Sequence, residues 1–130
     1  MSTKTQVIDA VVVTGIDYRF VASTLKFLKS QKVGDFDWIA VSGSCRQHNA
    51  VKKQLFASFT LHHPKKVILI QHEDDGAYGG SKAFKNQAQE FDVYKNDLYR
   101  LSGWIKKRVP RQDFTIGRYI IRLDGRAIEV

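Results

Sequence analysis

The sequence predicts an α/β layered sandwich with a mainly parallel central sheet, closed by a C-terminal strand pair. Three observations carry this. Short β-branched runs alternate with segments of helical periodicity three times along the chain. The first run, "VIDAVVVT" at 7–14, lacks the polar alternation of a half-exposed strand and suits one covered on both faces. The last stretch, "FTIGRYIIRLDGRAIEV" at 114–130, sets two strand-like runs around Asp124–Gly125, a favoured hairpin dipeptide. Strands separated by helices are joined by right-handed crossovers, which makes them parallel.

The elements follow in order. After the first strand, "FVASTLKFLKSQ" at 20–31 spaces Val21, Leu25 and Leu28 as one helical face, and Gly34 is the stop signal. "FDWIAVS" at 36–42 is the second strand. "HNAVKKQLFASFTLHH" at 48–63 returns to helical spacing through Val51, Leu55, Phe56 and Phe59, and Pro64 ends it. "KVILIQ" at 66–71 is the third strand. A long helix over 82–108 carries Phe84, Ala88, Phe91, Tyr94, Leu98, Leu101 and Ile105 on one stripe. With no repeat, linker or low-complexity segment, residues 1–130 read as one domain.

Composition narrows the function classes. With 43% hydrophobic and 26% charged residues the chain is globular rather than disordered. Its longest apolar runs, such as "AVVV" at 10–13 and "VILI" at 67–70, fall far short of the ~18 residues that span a bilayer. The N-terminal "MSTKTQV" has no apolar core of a secretory signal. A single cysteine, Cys45, excludes an intrachain disulfide and any site built from several thiolates of one chain; it suits a reducing cytoplasm. The net charge of +8 favours anionic partners. Its densest stretch, "KKRVPR" at 106–111, closes the long helix, where cations complement the helix dipole. No nucleic-acid motif accompanies it, so nucleic acid is not expected as a partner.

Chemistry collects where the three strands end. The loops after them are "TGIDYRF" at 14–20, "SGSCRQH" at 42–48 and "QHEDDGAYGG" at 71–80. Parallel sheets bind ligands in the crevice beyond their carboxyl ends, and helix N-termini there favour anions. Arg19 and Ser44 are the candidate anion-binding residues. Cys45 lies near His48 and a helix N-terminus, but Arg46 follows at once and no acid orients His48, so a buried cysteine is the plainer reading. Gly76, Gly79 and Gly80 do not form a dinucleotide fingerprint and read as backbone freedom in a crowded loop.

"GIDYR" at 15–19 and "HEDD" at 72–75 resemble the two signatures of the β-class carbonic anhydrases, Cys-x-Asp-x-Arg and His-x-x-Cys. The tail "YIIRLDGRAIEV" is similar to the family's closing strand, and the resemblance covers roughly residues 7–130. It implies the family's fold, a homodimer, and a zinc site of two cysteines and one histidine. There an Asp–Arg pair orients a zinc-bound hydroxide, or the Asp ligates the metal. Carried over residue by residue, His72 matches the histidine ligand, and Asp17 with Arg19 matches the catalytic pair. The cysteine positions fall on Gly15, which offers no ligand, and on Asp75, a harder donor than thiolate.

Three readings stay open. The chain is a carbonic anhydrase-like protein without standard zinc catalysis; or a lyase with a metal site remodelled from Asp17, His72 and Asp75, with Cys45 as a weak extra; or a metal-free protein that binds a small anion such as bicarbonate.

Overall fold

The structure, a computed structural model, describes residues 7–110 and 113–130. The N-terminal "MSTKTQ" and the final arginine of the 106–111 basic stretch, Arg111, lie outside the described residues.

Five strands form one sheet: β1 (Ala10–Thr14), β2 (Phe36–Ala40), β3 (Lys66–His72), β4 (Thr115–Ile121) and β5 (Ala127–Glu129). Their order is β2-β1-β3-β4-β5. β2, β1, β3 and β4 run parallel, whereas β5 pairs antiparallel with β4 through Ile120↔Ile128. The crossovers are α1 (Val21–Ser30), α2 (His48–His62) and α3 (Gln87–Arg108). The predicted α/β class, parallel sheet and closing hairpin are therefore all present.

The pleat distributes the strand residues to two cores. Val11, Val13, Val67, Leu69 and Ile120 face one side and pack with Val51, Leu55 and Phe59 of α2 and Tyr94, Leu98, Leu101 and Ile105 of α3. Ala10, Val12, Ile68, Ile70 and Ile121 face the other side, with Phe20 and Leu28. Burial of each such side chain contributes about 1.5–3 kcal/mol, so these two layers rather than surface ion pairs carry the fold. α1 presents less of its expected stripe than its spacing suggests: Leu28 is buried, while Val21 and Leu25 are exposed.

The long helix begins at Gln87, not at 82. Residues Ser81–Ala83 form a separate 3-10 turn, and the Asn86 side chain accepts from the Gln89 N–H, which caps α3 there. The hairpin turn is tight because Gly125 sits at φ +90°, a region closed to most side chains.

All three polar loops lie beyond the carboxyl ends of β1, β2 and β3. The sheet thus delivers them to one edge.

Candidate functional site

The 15–20, 41–47 and 73–81 loops enclose a cleft of about 400 Å³, lined by Asp17, Ser42, Gly43, His72, Asp75 and Gly76 among others. His72 is the last residue of β3 and is 4% exposed. Its ring is fixed twice. Nδ1–H donates to the Glu73 carbonyl at 2.8 Å, and Phe20 stacks on it at 4.1 Å between ring centres. In the neutral ring this leaves Nε2 as an acceptor turned towards the cleft.

Asp75 reaches the same point from the turn. Its Oδ1 accepts the Ala77 N–H at 2.9 Å, and its own N–H donates to the Tyr94 hydroxyl at 3.2 Å. Oδ2 is buried, has no hydrogen-bond partner among the described residues, and lies 3.7 Å from His72 Nε2. That separation is too long for a hydrogen bond.

Asp17 and Arg19 form a closed unit. Arg19 Nη2 donates to Asp17 Oδ2 at 2.7 Å and its Nε to both carboxylate oxygens, a bidentate pair. Its remaining reach goes to Asp74, with Nη1 on Oδ2 at 3.0 Å and Nη2 on the carbonyl at 2.9 Å. The Arg19 hydrogen bonds hold the Asp17 carboxyl below the usual carboxylate range. Asp74 is lowered too, first by the Ser81 N–H and then by Arg19. A depressed carboxylate stabilises the fold at pH values above its unfolded pKa, and that contribution is lost as pH falls through the folded value. In Arg19→Met we therefore expect a stability deficit that is constant above about pH 5 and shrinks below about pH 4, read from urea midpoints. The deficit is small because Arg19 is partly exposed; one independent of pH would contradict this role.

Gly15 stands beside this group. A β-carbon at that position would meet His72 Nε2 at 3.4 Å, ordinary contact distance. The two positions that the resemblance assigns to thiolates, 15 and 75, therefore both lie against His72, as a shared site requires.

Ser44, Arg19 and Cys45 are not among the residues that line the cleft. The Ser44 hydroxyl is fully buried and donates to the Ile70 carbonyl at 2.6 Å, which removes it as an anion donor. Arg19, the other candidate anion donor, already serves three acceptor groups. Cys45 points into the core with Val51, Leu55 and Tyr94. Burial pushes its thiol up to about 12, and burial also lowers His48. Such a thiol is neither a ready nucleophile nor a ready ligand. A disulfide reagent such as dithionitrobenzoate should leave Cys45 unmodified in the native protein and titrate it fully in denaturant; rapid native labelling would contradict the burial.

Sequence reasoning missed the residues that hold the 73–81 loop. Glu90, 2% exposed, accepts from the Asp74 N–H at 2.8 Å, the Ser81 hydroxyl at 2.9 Å and the Tyr94 hydroxyl at 2.7 Å. Tyr78 donates to Asp97 at 2.5 Å and accepts from Gln71 at 2.7 Å. Arg46 reaches the Ala77 carbonyl and lies over the Tyr78 ring. The available signal was Glu90 itself, an acid four positions before Tyr94 on the buried stripe.

The donor set does not fit the zinc site that the resemblance implies. Catalytic zinc takes three protein ligands. Here Gly15 has no donor atom, and Asp17 Oδ2, 3.9 Å from His72 Nε2, is held by Arg19. Among the described residues no group of three His, Cys, Asp or Glu is arranged to hold a metal ion.

No protein-family model and no curated protein matches the sequence. Solved structures do match the fold. Carbonic anhydrase from Streptococcus mutans aligns with 100% of this chain and 87% of its own, at 17% identity and a TM-score of 0.58. Carbonic anhydrase from Glaciozyma antarctica aligns over 96% and 83%, at 15% identity and a TM-score of 0.61. The β-carbonic anhydrase isoform I from Trichomonas vaginalis aligns over 99% and 87%, at 16% identity and a TM-score of 0.57. The five-stranded sheet with its site at the carboxyl ends of β1 and β3 is thus a β-carbonic anhydrase-like fold.

Proposed function

We propose that this chain is a β-carbonic anhydrase-like protein that lacks the Cys2His zinc site and does not carry out zinc-dependent hydration of carbon dioxide. The observation that carries this reading is the pair Gly15 and Asp75. Both flank His72 Nε2 where the family's thiolates are expected, and neither is a thiolate. Changes outside the ligand set already reduce metal affinity or activity 10–100-fold, and loss of two soft ligands removes far more. The remodelled lyase would need Asp17 to leave Arg19, at the expense of a bidentate pair.

In this reading the cleft binds a small polar ligand without a metal. The protein acts as a homodimer in the cytoplasm. Exposed Val21 and Leu25 of α1 give apolar surface for a second copy, and two β-carbonic anhydrases of Sordaria macrospora with this fold are tetrameric. No helix among the described residues is long and apolar enough to cross a membrane.

Stopped-flow carbon dioxide hydration tests the reading. The purified chain should match the buffer rate with and without added zinc. A zinc-dependent rate abolished in His72→Ala would establish the lyase instead.

A further inference from the structure

We propose that the cleft binds a primary ammonium group carried on a short apolar stem. This rests on the metal-free reading of the same cleft and names its ligand class.

In the neutral ring His72 Nε2 is an acceptor, because Nδ1–H is spent on the Glu73 carbonyl, which can only accept. Asp75 Oδ2, 3.7 Å away, is an acceptor, buried and without a partner. Asp17 Oδ2, 3.9 Å from Nε2, is a third. Both carboxylate oxygens thus lie within 4 Å of Nε2, and Arg19 already fills Asp17 Oδ2 while leaving Asp75 Oδ2 unpaired. A buried carboxylate oxygen left unpaired is costly. The missing partner must therefore bring donors.

A primary ammonium brings three donors, enough for the open Asp75 Oδ2 and the neutral His72 Nε2 with one to spare, together with a positive charge that Asp17 also faces. An anion brings the wrong sign: it would face Asp75 and Asp17 at close range in a partly desolvated site. Thus the chain's overall charge of +8 misleads about this cleft, whose nearest side chains are acidic. The walls supply the rest of the ligand. Ile16 and Tyr18 also line the cleft and are 63% and 84% exposed, so they offer an apolar flank at its mouth. Gly15 keeps the floor open, since a β-carbon there would lie against His72 Nε2. A volume of about 400 Å³ holds a small alkylammonium with room to spare.

The test titrates n-propylammonium chloride into isotopically labelled protein at pH 8 with a metal chelator present, following backbone amide shifts. Sodium chloride and sodium bicarbonate are the controls. The expected result is saturable shifts at Ile16, Gly76 and Ala77 with propylammonium only. Asp75→Asn, nearly isosteric, should weaken binding at least tenfold. Gly15→Ala keeps every acceptor but sets a methyl against Nε2, and should weaken binding comparably while the remaining spectrum stays native. Shifts no larger than those from sodium chloride, binding unaffected by both substitutions, or saturation of the cleft by bicarbonate would each overturn the ammonium site. None of these outcomes depends on zinc. Stoichiometric zinc and carbon dioxide hydration in unchelated protein would instead overturn the metal-free reading.

Discussion

The double variant Gly15→Cys/Asp75→Cys is expected to bind about one zinc per chain, at least 100-fold more tightly than the natural chain. The geometry for this gain is already present. Position 15 has room for a β-carbon 3.4 Å from His72 Nε2, so a thiolate there lies within ligand reach of the same point. Position 75 already carries a donor 3.7 Å from that nitrogen. His72 needs no adjustment, because Glu73 and Phe20 fix its ring and leave Nε2 free. Two thiolates then supply the soft donors that Gly15 and Asp75 withhold. One loss opposes the gain. Asp75→Cys removes the Oδ1 acceptor of the Ala77 N–H, which costs about 1 kcal/mol of turn stability. Zinc binding exceeds that by a wide margin. Each single variant should bind much more weakly than the double. A folded double variant that takes up no zinc would show that 15 and 75 are not the vacated ligand positions.

Glu90→Ala is expected to destabilise the protein by about 3–5 kcal/mol, a large part of an ordinary domain's total. Glu90 sits in the first turn of α3 and gathers three donors: the Asp74 N–H, the Ser81 hydroxyl and the Tyr94 hydroxyl. Removing it leaves the buried Tyr94 hydroxyl and two half-buried donors unsatisfied, which costs more than the net worth of the bonds themselves. Tyr94 would lose its acceptor while still accepting from Asp75, so the disturbance passes directly to the cleft. Glu90→Gln keeps one carbonyl oxygen and should cost distinctly less. Urea denaturation gives the stabilities, and amide exchange should show the 73–81 loop opening first. A loss below about 1 kcal/mol in Glu90→Ala would remove it as the anchor of this loop.

The parts of the molecule legible in the sequence are those set by short-range pattern. The strand expected at 66–71 runs one residue further, to His72, but its apolar run and the polar residues that follow mark where it leaves the core without tertiary knowledge. The convergence of three loops follows from strand direction alone. Helix α3 shows where pattern misleads. Phe84 falls in register with the later apolar stripe, yet Asn86 caps the helix behind it. Ser44 lies in a polar loop, yet its hydroxyl's partner, the Ile70 carbonyl, is 26 positions away. Glu90 is silent in the sequence for the same reason, since its partners at 74 and 81 meet it only after β3 and α3 are docked. The net charge of +8 favours anions at long range, whereas Asp17 and Asp75 line the cleft itself. Global charge acts on long-range attraction, and a partly buried site answers to its nearest atoms.

The most direct measurement is the zinc content of the natural chain, purified without a histidine tag and dialysed after incubation with excess zinc. Far less than one zinc per chain is expected. One tightly held zinc per chain, lost in His72→Ala, would contradict it and place a working metal centre at Asp17, His72 and Asp75.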